Sequence, residues 1–234
     1  MDKSVVVKIG GSLIFTENGE NGDINVDRIH QYAKVLSTLK DDGLNLCVVV
    51  GGGKAARDYI KVLHKFNATE AQSDLMGIRI SRINALLLIA ALGKIAYPCP
   101  PREIPELAKA LTTDKIIVMG GLQPGQSTNA VAAVVAEYTR SDMLINATSV
   151  DGVYTDDPKK DPTAKKIDEL DYDEFQELII KKGSRAGEYP LFDLVALKIV
   201  SRSSILTKII NGSDPDNILR AAKGEEIGTT VRRR

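Results

Sequence analysis

The chain has 234 residues, and 31 Lys plus Arg balance 31 Asp plus Glu for a formal net charge of zero. That balance leaves no basic footprint for nucleic acid or for an anionic membrane surface. A hydrophobic share of 43% and a charged share of 26% are ordinary for a globular chain long enough to bury one large core.

In chain order, Val5-Val6-Val7-Lys8-Ile9 is short, β-branched and followed by Gly10-Gly11-Ser12, the pattern of a buried parallel strand. Apolar residues at helical spacing (Val26, Ile29, Ala33, Leu36, Leu39) predict a helix over 26–40, stopped by Asp41-Asp42-Gly43. Leu46-Cys47-Val48-Val49-Val50 predicts the second strand, and Gly51-Gly52-Gly53-Lys54-Ala55-Ala56-Arg57 opens a helix to about Phe66. A long helix is expected over 75–92, although Gly77 weakens its start. A strand over 115–119 leads to Gly120-Gly121-Leu122-Gln123-Pro124-Gly125-Gln126-Ser127-Thr128, then an alanine-rich helix over 129–140. A strand over 143–147 and a polar loop over 149–162 follow, the loop carrying Asp151, Asp156, Asp157 and Asp161. Helices over 173–181, 191–201 and 215–223 and short strands over 207–210 and 227–231 complete the pattern.

Alternating strands and helices predict an α/β fold with a mostly parallel sheet covered on both faces. No internal repeat or low-complexity linker interrupts it, so one continuous fold is expected, with a nucleotide-holding lobe in its carboxyl-terminal half. Ligands of such sheets sit outside the carboxyl ends of the strands, where all three glycine turns fall. Glycine lets backbone N–H groups crowd a bulky anion, and a helix N-terminus adds partial positive charge. Three such turns suit several phosphates held side by side.

The second turn also reads as G-x-G-x-x-A, with Glu70 and Asp74 near the place of an acidic ribose partner. A dinucleotide site belongs after the first strand of its unit, however, and here an earlier strand already ends in glycines. Arg57 suits a phosphate better. The third turn approaches a Walker A loop, but Gln126 stands where that loop needs lysine. Lys8 could supply the missing charge from another strand, since a lysine in a buried strand is costly unless it meets an anion. Its alternative place is a solvated edge strand. Lys198 reads as a snorkelling lysine, and His30 and His64 as surface residues. No base stands beside a nucleophile, which fits phosphoryl transfer to an acceptor that is already ionised, such as a phosphate.

Cys47 and Cys99 form no CxxC, and the opening residues carry no leader pattern. The longest apolar run, over 85–92, is far short of the roughly 18 residues a membrane span needs. A cytoplasmic protein with no protein-only metal site is expected. Arg232-Arg233-Arg234 reads as a solvated end.

These residues resemble the archaeal-type uridylate (UMP) kinases of the amino-acid-kinase superfamily over nearly the whole length. The resemblance rests on Lys8-Ile9-Gly10-Gly11-Ser12, the glycine loop through Ile60, Asp74-Leu75-Met76-Gly77-Ile78 and Arg82-Ile83-Asn84-Ala85. The third glycine turn and Val150-Asp151-Gly152-Val153-Tyr154-Thr155-Asp156-Asp157-Pro158 point to the nucleoside monophosphate branch. It implies ATP- and Mg²⁺-dependent phosphorylation of UMP to UDP in pyrimidine nucleotide supply. The implied protein is a three-layer α/β/α sandwich, a single domain over 1–234, assembled as a homohexamer.

By the same resemblance the amino-terminal half holds UMP and the carboxyl-terminal half ATP. Lys8, Gly10, Gly11 and Ser12 would face the transferring phosphates. Gly52 would approach UMP, while Gly53 and Arg57 would lie by phosphates between the nucleotides. Asp74 would take the UMP ribose, and Leu122, Gln123, Pro124, Gly125, Gln126, Ser127 and Thr128 would wrap its base and phosphate. Thr148, Ser149, Tyr154 and Asp157 would hold ATP. Asn129 stands where many relatives carry aspartate, Ser149 where asparagine is common, and Leu194 where proline is common. An isopentenyl phosphate or carboxylate kinase of the superfamily, or a nucleotide sensor without turnover, are the rival readings.

Overall fold

The computed structural model describes residues 3–16, 23–156, 161–183 and 191–234. Its elements begin with β1 (Ser4–Ile9), α1 (Val26–Asp41), β2 (Asn45–Val50), α2 (Gly53–Lys65) and α3 (Glu70–Leu92). They continue with α4 (Ile104–Ala110), β3 (Ile117–Met119), α5 (Thr128–Tyr138), β4 (Met143–Thr148), β5 (Val153–Tyr154), β6 (Lys166–Ile167) and β7 (Glu169–Leu170). The last are α6 (Tyr172–Gly183), α7 (Leu194–Arg202), β8 (Leu206–Asn211), α8 (Asp216–Ala222) and β9 (Thr229–Val231).

Seven strands form the central sheet in the order β3-β2-β1-β4-β8-β9-β7. Every pairing in it is parallel except β8 with β9. The chain builds outward from β1 to β2 and β3, then returns to place β4 on the other side of β1. That reversal makes β1/β4 the switch point, beside which a crevice opens at the carboxyl ends. Val5, Val7 and Ile9 send their side chains to one face, where α1, α3 and α8 cover them. Val6, Val49 and Leu144 point to the other face, under α5 and α7. Each fully buried valine, leucine or isoleucine contributes about 1.5–3 kcal/mol relative to exposure. The three-layer α/β/α sandwich is as the motifs imply.

Three local differences from expectation have physical reasons. Helix α3 starts at Glu70, not near residue 75, because Thr69 caps it and Gln72 returns the bond in a capping box. Helix α4, not foreseen, is a single short amphipathic run burying Leu107 and Ala110. Helix α7 starts at Leu194, because Asp193 accepts from Ala196 N and sets its first turn.

The stretch Glu70–Ile95 is also long enough to cross a membrane by length and composition, an 18-residue window in it reaching a mean hydropathy of 1.7. No single apolar run within it shows this, since polar residues interrupt the pattern. Here one side of the helix lies against the sheet through Ala85, Leu88 and Ile89.

Candidate functional site

Because β3, β2 and β1 are neighbours, the glycine turns that follow them line up along one edge of the sheet. Their backbones are stitched together. Gly51 N donates to Ile9 O (3.0 Å), and Gly10 N to Ala147 O (2.9 Å) at the end of β4. The first two turns touch backbone to backbone: a Cβ on Gly11 would run into Gly53 N and Gly51 O. Gly53 also holds φ +65°, so both conformation and space demand glycine there. The close contact holds residues 10–12 and 51–53 side by side.

Lys8 is not on an edge. It sits in β1 between Val49 of β2 and Asn146 of β4. Strand alternation turns its side chain toward the face covered by α5 and α7. Desolvation there lowers its pKa to about 8, opposed by the nearby Asp193 carboxylate. Its ammonium makes no hydrogen bond or ion pair within 4 Å to any described residue, so three donors remain for an incoming anion.

Asp193 organises this region. One carboxylate oxygen accepts from Ala196 N (2.9 Å) as the α7 cap, and the other accepts from Ser127 Oγ. Ser127 in turn caps α5, accepting from Asn129 N and Ala130 N (both 3.1 Å). The starts of α5 and α7 are thus tied through one carboxylate, whose charge also acts on Lys8. The Asn129 and Asn146 amides both donate to Leu191 O, at 3.3 and 3.2 Å. Their Oδ1 atoms are buried without a partner among the described residues. Such orphans are costly in isolation and mark a place where a polar group is missing.

Helix α3 supports the second and third turns. Asp74 accepts from Gly125 N (2.8 Å), which fixes the third turn over the exposed start of the helix. Ser81 Oγ accepts from Gly121 N (2.8 Å), while Arg82 donates to Gly121 O and Leu122 O at 3.0 and 3.2 Å. Asn84 donates to Gly51 O and Gly52 O. Gln123, Pro124 and Gly125 are exposed, and Leu122, Gln126, Ser127 and Thr128 are half-buried along the turn. Gln126 Oε1 is buried without a partner among the described residues. Arg57 is exposed on the first turn of α2.

On the far side of Lys8, Thr148 ends β4, its carbonyl accepting from Gly212 N (2.7 Å), and Ser149 is exposed. Tyr154 donates from its hydroxyl to Asp151 (2.9 Å), a bond that raises the Tyr154 pKa. Asp157 lies outside the described residues. His30, His64 and Lys198 are exposed, His64 facing Glu70 at 3.6 Å. Cys47 is buried, which pushes its thiol up to about 12, and Cys99 is exposed.

A family model described as the amino acid kinase family matches residues 3–211. The chain belongs to that family. A protein called uridylate kinase from Methanobrevibacter smithii is 45% identical to this amino acid kinase, covering 97% of this chain and 98% of its own. Another of that name, from Methanothermobacter thermautotrophicus, is 46% identical over the same shares. Among solved structures, the uridylate kinase of Archaeoglobus fulgidus superposes with a TM-score of 0.83 at 39% identity, covering 97% of this chain and 99% of that one. The UMP kinase of Ureaplasma parvum, 20% identical with a TM-score of 0.83, shows the shared fold alone.

For this amino acid kinase, sequence reasoning had placed Lys8 and the three turns together, and the structure does bring them together. It had given no role to Ser81, Arg82, Asn84, Asn146 or Asp193. A signal was present for three of them. Ser81 and Asn84 are polar at positions that α3 buries, and Asn146 is polar in a buried strand. Asp193 and Arg82 carried no such mark, because their partners lie on distant segments.

Proposed function

We propose that this amino acid kinase transfers the γ-phosphoryl group of MgATP to UMP, giving UDP and ADP, and supplies pyrimidine nucleotides in the cytoplasm. The observation that carries the reading is the row of three glycine turns beside a desolvated lysine at the switch point. The full-length likeness to proteins called uridylate kinase supports UMP as the acceptor.

In this reading Lys8 and the backbone N–H groups of Gly11 and Ser12 stabilise charge spreading over the transferring phosphoryl oxygens. Gly10 shapes the turn, its own N–H being held by Ala147 O. Gly53 and Arg57 hold phosphate oxygens in line, and Gly52 lets UMP approach. Asp74 accepts from the UMP ribose. Leu122, Gln123, Pro124, Gly125, Gln126, Ser127 and Thr128 form the acceptor wall, while Thr148, Ser149, Tyr154 and Asp157 hold ATP. The acceptor phosphate is already ionised near neutral pH, so positioning and neutralisation suffice without a base.

Among the described residues no three His, Cys, Asp or Glu side chains gather as a metal site. Mg²⁺ enters as part of the donor substrate, where it neutralises phosphate charge. The unpaired Oδ1 atoms of Asn129 and Asn146 are neutral oxygens that suit a cation riding on phosphates. Assembly as a homohexamer is part of the proposal. The exposed apolar residues Tyr59 and Val62 of α2, Phe66 at its C-cap, and Leu75, Ile83 and Leu86 of α3 support a covered outer face.

ADP release from MgATP with UMP, CMP, dUMP and isopentenyl phosphate as separate acceptors tests the assignment. Turnover with UMP is expected, and turnover with isopentenyl phosphate alone would transfer it to that acceptor. ATP binding without turnover would make the chain a sensor. Lys8→Ala should lower kcat at least tenfold with the fold intact, and unchanged turnover would remove its role.

A further inference from the structure

Asn84 lies inside α3, 4% exposed, with its side chain directed at the second glycine turn. Its Nδ2 donates to Gly51 O at 2.8 Å and to Gly52 O at 3.2 Å. Both partners are carbonyls, so only the amide's NH₂ end fits them. One side chain thus spends its donors on two consecutive peptide groups.

Those peptides are trans, and in a trans peptide the N–H points opposite to the C=O. Drawing the Gly51 and Gly52 carbonyls toward Asn84 therefore turns the N–H groups of Gly52 and Gly53 away from it. Neither N–H has an acceptor among the described residues. Both sit where the first and second turns touch. A glycine turn has no side chains of its own to hold its peptide planes. Two further bonds restrain the turn: Gly51 N to Ile9 O (3.0 Å) and Ala56 N to Gly52 O (3.3 Å). The second shares the Gly52 carbonyl with Asn84, whereas among the described residues only Asn84 holds the Gly51–Gly52 peptide on its carbonyl side.

We propose that Asn84 is a positioning residue for phosphoryl transfer: it sets the peptide planes of Gly51 and Gly52 so that the Gly52 and Gly53 N–H groups face the phosphates between donor and acceptor. The proposal rests on the kinase reading above. It acts through backbone and touches no substrate. Arg82 likewise donates to the Gly121 and Leu122 carbonyls of the third turn, while Ser81 Oγ accepts from Gly121 N, so α3 sets the spacing of two glycine turns from a single element.

The test uses the full chain, wild type and Asn84→Ala, with glycine-selective ¹⁵N labelling. Readouts are kcat per ATP-binding site, KM for UMP, Kd for MgATP, melting temperature, and the Gly52 and Gly53 amide signals. Removing a donor or misplacing one at a phosphoryl site costs about 10²-fold in the larger cases. With the turn still held from its N–H side, a kcat loss of at least tenfold is expected, with MgATP affinity within about threefold and both glycine signals moved. A purely structural role would lower the melting temperature and leave kcat per ATP-binding site unchanged.

A folded Asn84→Ala with kcat within twofold of wild type overturns the proposal. Should that variant melt below assay temperature, Asn84→Ser, which keeps one donor, replaces it and should fall between the two. If wild type does not phosphorylate UMP, the kinase reading fails by itself. Asn84 is then judged on the amide signals alone: movement of both upholds the clamp, and unchanged signals refute it.

Discussion

Lys8 carries a charge into a strand whose neighbours are Val49 and Asn146, and burial lowers its pKa to about 8 against the pull of Asp193. In the proposed mechanism the protonated form holds phosphate, so kcat/KM for MgATP should fall as pH rises through about 8; a flat profile from pH 7 to 9 would exclude Lys8 as the titrating group. The stability consequence has the opposite sign. Unfolded Lys8 stays protonated up to its ordinary value of 10.5, so between about 8 and 10.5 the unfolded chain binds the extra proton. Wild type should therefore gain stability relative to Lys8→Met as pH rises through that window, and Lys8→Met should melt no lower at pH 7. Parallel melting curves would refute this. Asp74 offers a cleaner test of recognition. Asn in its place can still accept from Gly125 N, so the turn survives while the negative charge is lost. Asp74→Asn should raise KM for UMP several-fold more than KM for ATP, and equal rises would remove the ribose role. Both residues were legible from their neighbours in sequence. Asp193 was not, because Ser127, which donates to it, and Lys8, which its charge acts on, come from other elements.

At the scale of elements, α3 was foreseen as long but five residues too short. Its true start was written in Thr69 and Gln72, a capping box whose two halves bond each other's backbone. Thr69→Ala should cost about 1 kcal/mol, which is a drop of roughly 2–4 °C in melting temperature at this chain length. Its kcat should stay at the wild-type value, because the cap lies away from the turns. A loss of activity without loss of stability would contradict that separation. Helix α4 escaped notice because seven residues give barely two turns, too few for a periodic signal. The ribbon of β5 and β6 escaped for the same reason, each strand having two residues.

For the whole molecule, the exposed apolar residues of α2, its C-cap and α3 include Phe66 at 76% and Ile83 at 56% exposure. Phe66→Glu combined with Ile83→Arg should shift the light-scattering mass from that of the proposed hexamer to smaller species; an unchanged mass would take this face out of the proposed interface. The linear order of residues determined the sandwich itself, since strand-like and helix-like runs alternate and each period is local. It also determined the phosphate chemistry, because glycine turns and Lys8 are runs of a few adjacent residues. Only the tertiary structure decided that β3, β2 and β1 are neighbours, so that turns far apart in the chain share one edge. It alone decided that Gly11 presses on Gly53, that Asp193 joins Ser127 near Lys8, and that Asn84 clamps the second turn. The reason is physical: patterning follows from side chains a turn or two apart, whereas these contacts depend on which strand pairs with which.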